Sequence, residues 1–81
     1  MSDSTILVVN AGSSSLKFGL YDQVNPDEQP LLSGVADGIG RSGGTLALLD
    51  GNKRTLRSEK RTLTTHENAL SEAAHWVTEY F

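Results

Sequence analysis

Ile6, Leu7, Val8 and Val9 form an uncharged aliphatic run that stops at Asn10. Such a run reads as a strand buried on both faces, the kind found in the middle of α/β sheets, with Asn10 at its carboxyl end. The next pattern is different: Leu16, Phe18 and Leu20 alternate with Lys17, Gly19 and Tyr21. Alternation predicts a returning strand that buries Leu16 and Phe18 and places Lys17 on the opposite face. Asn25 to Pro30 is a polar turn with a proline near each end, and Leu32 to Gly38 reads as a third strand. Thr45 to Leu49, a turn at Asp50, Gly51 and Asn52, and a partly exposed strand from Thr55 to Leu63 make a second hairpin.

The last segment changes period. Thr64 and Glu67, three apart, form a capping box, and Leu70, Ala73, Ala74, Val77, Tyr80 and Phe81 recur at helical spacing. This predicts an amphipathic helix over about residues 65–81, lying on the sheet, with Trp76 and Tyr80 as core or flank residues. The chain is therefore of the α/β class: hairpin, third strand, second hairpin, closing helix. Eighty-one residues make one small unit, able to bury about 60% of the surface its unfolded chain exposes.

Seven basic residues against ten acidic ones give a net charge of −3, which offers no support for a nucleic-acid or anionic-membrane partner. The absence of cysteine excludes disulfides and thiolate metal sites within the chain and suits a cytoplasmic protein. No apolar stretch approaches the roughly 18 residues of a membrane span. Lys53, Arg54, Arg57, Lys60 and Arg61 crowd the second hairpin, but Glu59 interrupts them and no aromatic residue interleaves, so they read as a solvated strand without a site role. His66 and His75 are nine apart, away from the four-residue spacing that puts two metal ligands on one helix face. Gly38, Gly40 and Gly43 satisfy the spacing of a dinucleotide-binding loop. The residues after Gly44 are strand-like rather than helical, so that segment reads as a flexible connection.

The chemistry concentrates between Asn10 and Lys17. Gly12 lets the backbone approach a ligand closely, and Ser13, Ser14 and Ser15 offer hydroxyls beside their amides. Consecutive amides in a tight turn form an anion-binding nest, and Lys17 adds a positive charge nearby. On the residues alone, a polar hairpin turn and a phosphate-holding loop both stand open.

The order Asn10, Ala11, Gly12, Ser13, Ser14, Ser15, Leu16, Lys17, Phe18 resembles the first phosphate loop of the acetate kinase family, whose signature it fits without a gap. Beyond Asp22 the resemblance rests on the order of elements. It implies the amino-terminal part, residues 1–81, of an actin-like (ribonuclease H-like) ATPase fold. It also implies reversible phosphoryl transfer between ATP and acetate by a longer, cytoplasmic, homodimeric enzyme. By that resemblance Lys17 contacts ATP phosphate, Gly12, Ser13 and Ser15 line the phosphate path, and Asn10 stands at the magnesium position. The family's catalytic aspartate, substrate arginines and adenosine pocket have no counterpart in these residues, so the chain is expected to be inactive alone. A propionate or butyrate kinase shares the loop, and a non-catalytic phosphate- or protein-binding module of the same fold is the other class.

Overall fold

The alternation in the second strand decides which face of the sheet is buried. In the computed structural model, which describes residues 5–22 and 29–80, Leu16, Phe18 and Leu20 are buried while Lys17 between them is exposed. The elements run β1 (Thr5–Ala11), β2 (Ser15–Asp22), β3 (Leu32–Asp37), β4 (Thr45–Asp50), β5 (Thr55–Lys60) and α1 (His66–Tyr80). The strands form one antiparallel sheet in chain order, as short connections between successive strands dictate. Register carries the buried face across the sheet: Leu16 stands opposite Ala36, Ala36 opposite Leu46, Leu20 opposite Leu32, and Gly34 opposite Leu48. α1 lays Ala69, Ala73, Trp76 and Val77 on that face, and Ile39 and Leu63 close the core from the connections.

Several expectations are corrected by this arrangement. Among the described residues β1 pairs with β2 alone, and Ile6, Leu7, Val8 and Val9, expected to be buried on both faces, are each 41–51% exposed. α1 lies over β2, β3 and β4, leaving an apolar groove of about 420 Å³ between Leu7 and the helix residues Leu70, Ala73 and Val77. The helix cap is shifted by one residue. Thr65 Oγ1 accepts the Asn68 N–H at 3.0 Å, the Thr65 carbonyl accepts the Ala69 N–H at 3.0 Å, and Asn68 Oδ1 reaches back to the Thr64 N–H at 3.2 Å. Thr65 with Asn68 thus does the work expected of Thr64 with Glu67.

The buried helix stripe is also shifted: Ala69 is inside and Ala74 and Tyr80 are outside, while Trp76 is buried as expected. The last strand ends at Lys60 rather than Leu63, since Leu63 turns into the core and is fully buried. Finally, the glycine-rich connection after β3 is not slack. Gly38 and Gly40 take left-handed φ angles of 69° and 84°, which lets the chain plug Ile39 into the core. The polar turn expected over residues 25–30 falls mostly outside the described residues, as does Phe81.

Close packing depends on one glycine in β3. A Cβ on Gly34 would stand where the Phe18 ring lies and 2.9 Å from the Ala47 carbonyl oxygen. Gly34→Ala is therefore expected to lower stability by about 1–3 kcal/mol in urea unfolding. Adding Phe18→Leu to that variant should recover part of the loss, because the two sites share one volume. Strict additivity of the two substitutions would contradict the packing.

Candidate functional site

β1 and β2 meet at a tight two-residue turn. Gly12 N–H donates to the Ser15 carbonyl at 2.8 Å, so Ser13 and Ser14 form the two-residue tip. Neither serine has a positive φ, which excludes the primed turns that ordinarily close such hairpins. Among the described residues the reciprocal bond from Ser15 N–H to the Gly12 carbonyl is not made. Instead His66 Nε2, at the first position of α1, lies 2.6 Å from the Gly12 carbonyl oxygen. The Ser14 carbonyl accepts the Ile39 N–H at 2.9 Å, which explains why the glycine connection after β3 is held in place.

The Gly12 and Ser14 carbonyls are thus engaged by the scaffold, while the donors of the tip are not. Among the described residues, the Ser13 and Ser14 amides and the hydroxyls of Ser13, Ser14 and Ser15 make no hydrogen bond. Unengaged amides beside one another in a turn favour an anion. Gly12 is needed here for space, since a Cβ on it would come within 2.7 Å of Ser15 Oγ.

Asn10 and Lys17 are directly opposite in the β1–β2 register, so their side chains share a face. It is the face turned away from α1, and both residues are exposed on it. Ser15 belongs to the same face by alternation. The five residues singled out from the sequence, Asn10, Gly12, Ser13, Ser15 and Lys17, therefore lie together around one end of the first hairpin. Two neighbours were missed. Asp37 stands opposite Ser15 in β3, with Oδ1 accepting the Gly38 N–H at 3.0 Å. His66 reaches the loop from 54 residues away, and the only signal for it in the sequence is its place beside the cap.

Asn10 would offer a cation at this site one neutral oxygen, with the Asp37 carboxylate on the neighbouring strand. No group of three or more His, Cys, Asp or Glu side chains comes together among the described residues. Asn10 fits magnesium as a single ligand, with the remaining oxygens and the charge supplied from phosphates and other groups.

The basic cluster of the second hairpin is turned inward in part. Arg57 donates to Glu59 at 2.6 Å and to Glu79 at 2.9 Å, and Arg61 donates to Glu72 at 2.6 Å. The Arg57 guanidinium lies 4.2 Å from the centre of the Trp76 ring. Its hydrogen bond holds the Glu59 carboxyl below its ordinary range. The strand and the residue after it are therefore a fastening for α1 rather than a merely solvated edge.

No helix among the described residues is long and apolar enough to cross a membrane. Residues 5–80 match the model of the acetokinase family. The acetate kinase of Methanosarcina barkeri is 41% identical over 76 residues, which cover 91% of this chain and 17% of that protein. The acetate kinase of Shewanella loihica is 38% identical over 71 residues, 86% of this chain and again 17% of the relative. The crystal structure of Porphyromonas gingivalis acetate kinase superposes with a TM-score of 0.74 at 28% identity, covering 88% of this chain and 17% of that one. The chain spans about a sixth of the length of these relatives, and with its loop, sheet and closing helix it belongs to the acetokinase family.

Proposed function

We propose that this chain is the amino-terminal segment of an acetate kinase, which moves a phosphoryl group reversibly between ATP and acetate to give ADP and acetyl phosphate. The observation that carries this reading is the end of the first hairpin, where donors with no acceptor among the described residues meet the facing pair Asn10 and Lys17. Phosphoryl transfer asks a protein chiefly to hold two anions in line and to offset charge on the moving group. Lys17 meets ATP phosphate as a compact positive charge. The Ser13 and Ser15 hydroxyls line the phosphate path, and Gly12 lets the loop approach it. Asn10 offers its amide oxygen to Mg²⁺, which when bound with ATP neutralises phosphate charge. None of the residues of this chain is assigned as a catalytic acid or base. The full protein is placed in the cytoplasm as a homodimer that takes neither nucleic acid nor membrane as partner.

The test is acyl phosphate formation by the full-length protein that carries this sequence, trapped as the hydroxamate in the presence of MgATP. Acetate is expected to give the strongest signal. A larger signal from propionate or butyrate would move the assignment to a kinase for those acids. Absence of product from all three would leave the non-catalytic binding module. The isolated 81-residue chain is expected to give no signal, and transfer by it would overturn the reading of the chain as one segment of the enzyme.

A further inference from the structure

We propose that His66 is a positioning residue that sets the orientation of the phosphate loop through its hydrogen bond to the Gly12 carbonyl. A carbonyl oxygen only accepts, so at 2.6 Å His66 Nε2 must carry the proton, as it does in the Nε2–H tautomer and in the imidazolium. The bond has two consequences. The first is a change of partner: in a hairpin with a two-residue tip the Gly12 carbonyl ordinarily accepts the Ser15 N–H, whereas here it accepts from His66 and the Ser15 N–H is not used by the turn. The second is direction. In a planar trans peptide the C=O and the following N–H point in opposite senses, so fastening the Gly12 carbonyl toward α1 turns the Ser13 N–H away from it. That is the side on which Asn10 and Lys17 stand.

His66 is well placed to hold such an orientation. It is the first residue of α1, half-buried, directly after the Thr65 cap, and α1 is fastened to the sheet through Ala69, Ala73 and Trp76. The loop is thus held from both sides, by Ile39 at the Ser14 carbonyl and by His66 at the Gly12 carbonyl. Glycine at position 12 makes the second fastening necessary, because its peptide plane rotates with little steric resistance.

The inference rests on the kinase reading for its kinetic arm, and the experiment separates the two. In the full-length enzyme, His66→Leu removes the donor, whereas His66→Gln keeps an N–H near the position of Nε2. Loss of the donor is expected to lower kcat/KM for ATP about tenfold, the size of one lost hydrogen bond, while His66→Gln recovers most of it. KM for acetate and the melting temperature should stay near wild type. The second arm does not use activity. With glycine labelled at the carbonyl carbon and serine at nitrogen, the Gly12–Ser13 NMR cross-peak should move in His66→Leu and return toward its wild-type position in His66→Gln. A cross-peak indifferent to both substitutions would overturn the proposal, as would equal losses in both variants that track a lowered melting temperature. If the wild-type enzyme makes no acyl phosphate, the kinase reading fails and the cross-peak still decides the role of His66.

Discussion

A chain carrying Trp76→Ala is expected to lose its cooperative fold near room temperature. Trp76 is 1% exposed and is the largest fully buried side chain, so its removal opens a cavity where α1 meets the sheet. Truncations of buried aromatic residues cost about 3–5 kcal/mol, and whole domains are stable by only about 5–15 kcal/mol, with small ones toward the lower end. The ring also carries Arg57 stacked at 4.2 Å and Arg61 at 5.7 Å, and these guanidinium groups hold Glu72 and Glu79 of the helix. Losing the ring therefore loosens polar fastenings along with the apolar one. Far-UV circular dichroism through a urea titration measures the effect, since the chain has no other tryptophan to report by fluorescence. Trp76→Phe should fall between the two, keeping a ring for the guanidinium groups at smaller volume. A sharp transition in Trp76→Ala at the wild-type midpoint would show that the helix is held by something else.

The elements themselves were legible because each rests on a local period. Leu16, Phe18 and Leu20 sort to one face of β2 and Lys17 to the other, and the hairpin turn at Asp50 forms with its side chain accepting the Asn52 and Arg54 amides. Order along the chain gave the elements, while their joining into one antiparallel meander that includes the second hairpin came only with the structure. What failed were the statements that need tertiary information. An aliphatic run such as Ile6 to Val9 says that a strand is apolar on both faces but not whether neighbours cover it; among the described residues β2 is its one strand partner. Helical period likewise fixes a stripe only to within about one residue, and the buried one runs through Ala69, Ala73, Trp76 and Val77.

The site divides in the same way. Asn10 and Lys17 could be placed together because hairpin register pairs residues equidistant from a turn. His66 could not, since no local rule links the first residue of a helix to a carbonyl 54 positions earlier. The same limit hid the Ile39 anchor, whose glycine-rich surroundings suggest slack while its buried side chain removes it.

In the full-length enzyme, Lys17→Ala is expected to lower kcat/KM for ATP about 10²–10³-fold, as loss of one preorganised electrostatic partner at a reacting group does. The fold should be unaffected. Lys17 is exposed, points away from α1, and faces Asn10 on one side and Val35 on the other, so no buried contact is lost with its ammonium. An unchanged melting temperature beside the lost turnover is therefore the expected pair of results. Lys17→Arg should restore only part of the activity, because the guanidinium is wider and its charge is spread over a planar fork instead of held at a point. Asn10→Ala acts on a different quantity. On the proposed reading its neutral oxygen is one of several around the cation, so the magnesium concentration for half-maximal rate should rise about tenfold while the rate at saturating magnesium falls less. If both variants turn over near normally, the end of the first hairpin does not meet the nucleotide. If Lys17→Ala fails and Asn10→Ala shows no magnesium dependence, the lysine keeps its role and the metal is held wholly by other parts of the enzyme. Since Asn10 and Lys17 face each other across one strand pair, their separate readouts locate the phosphate relative to the cation along the same edge.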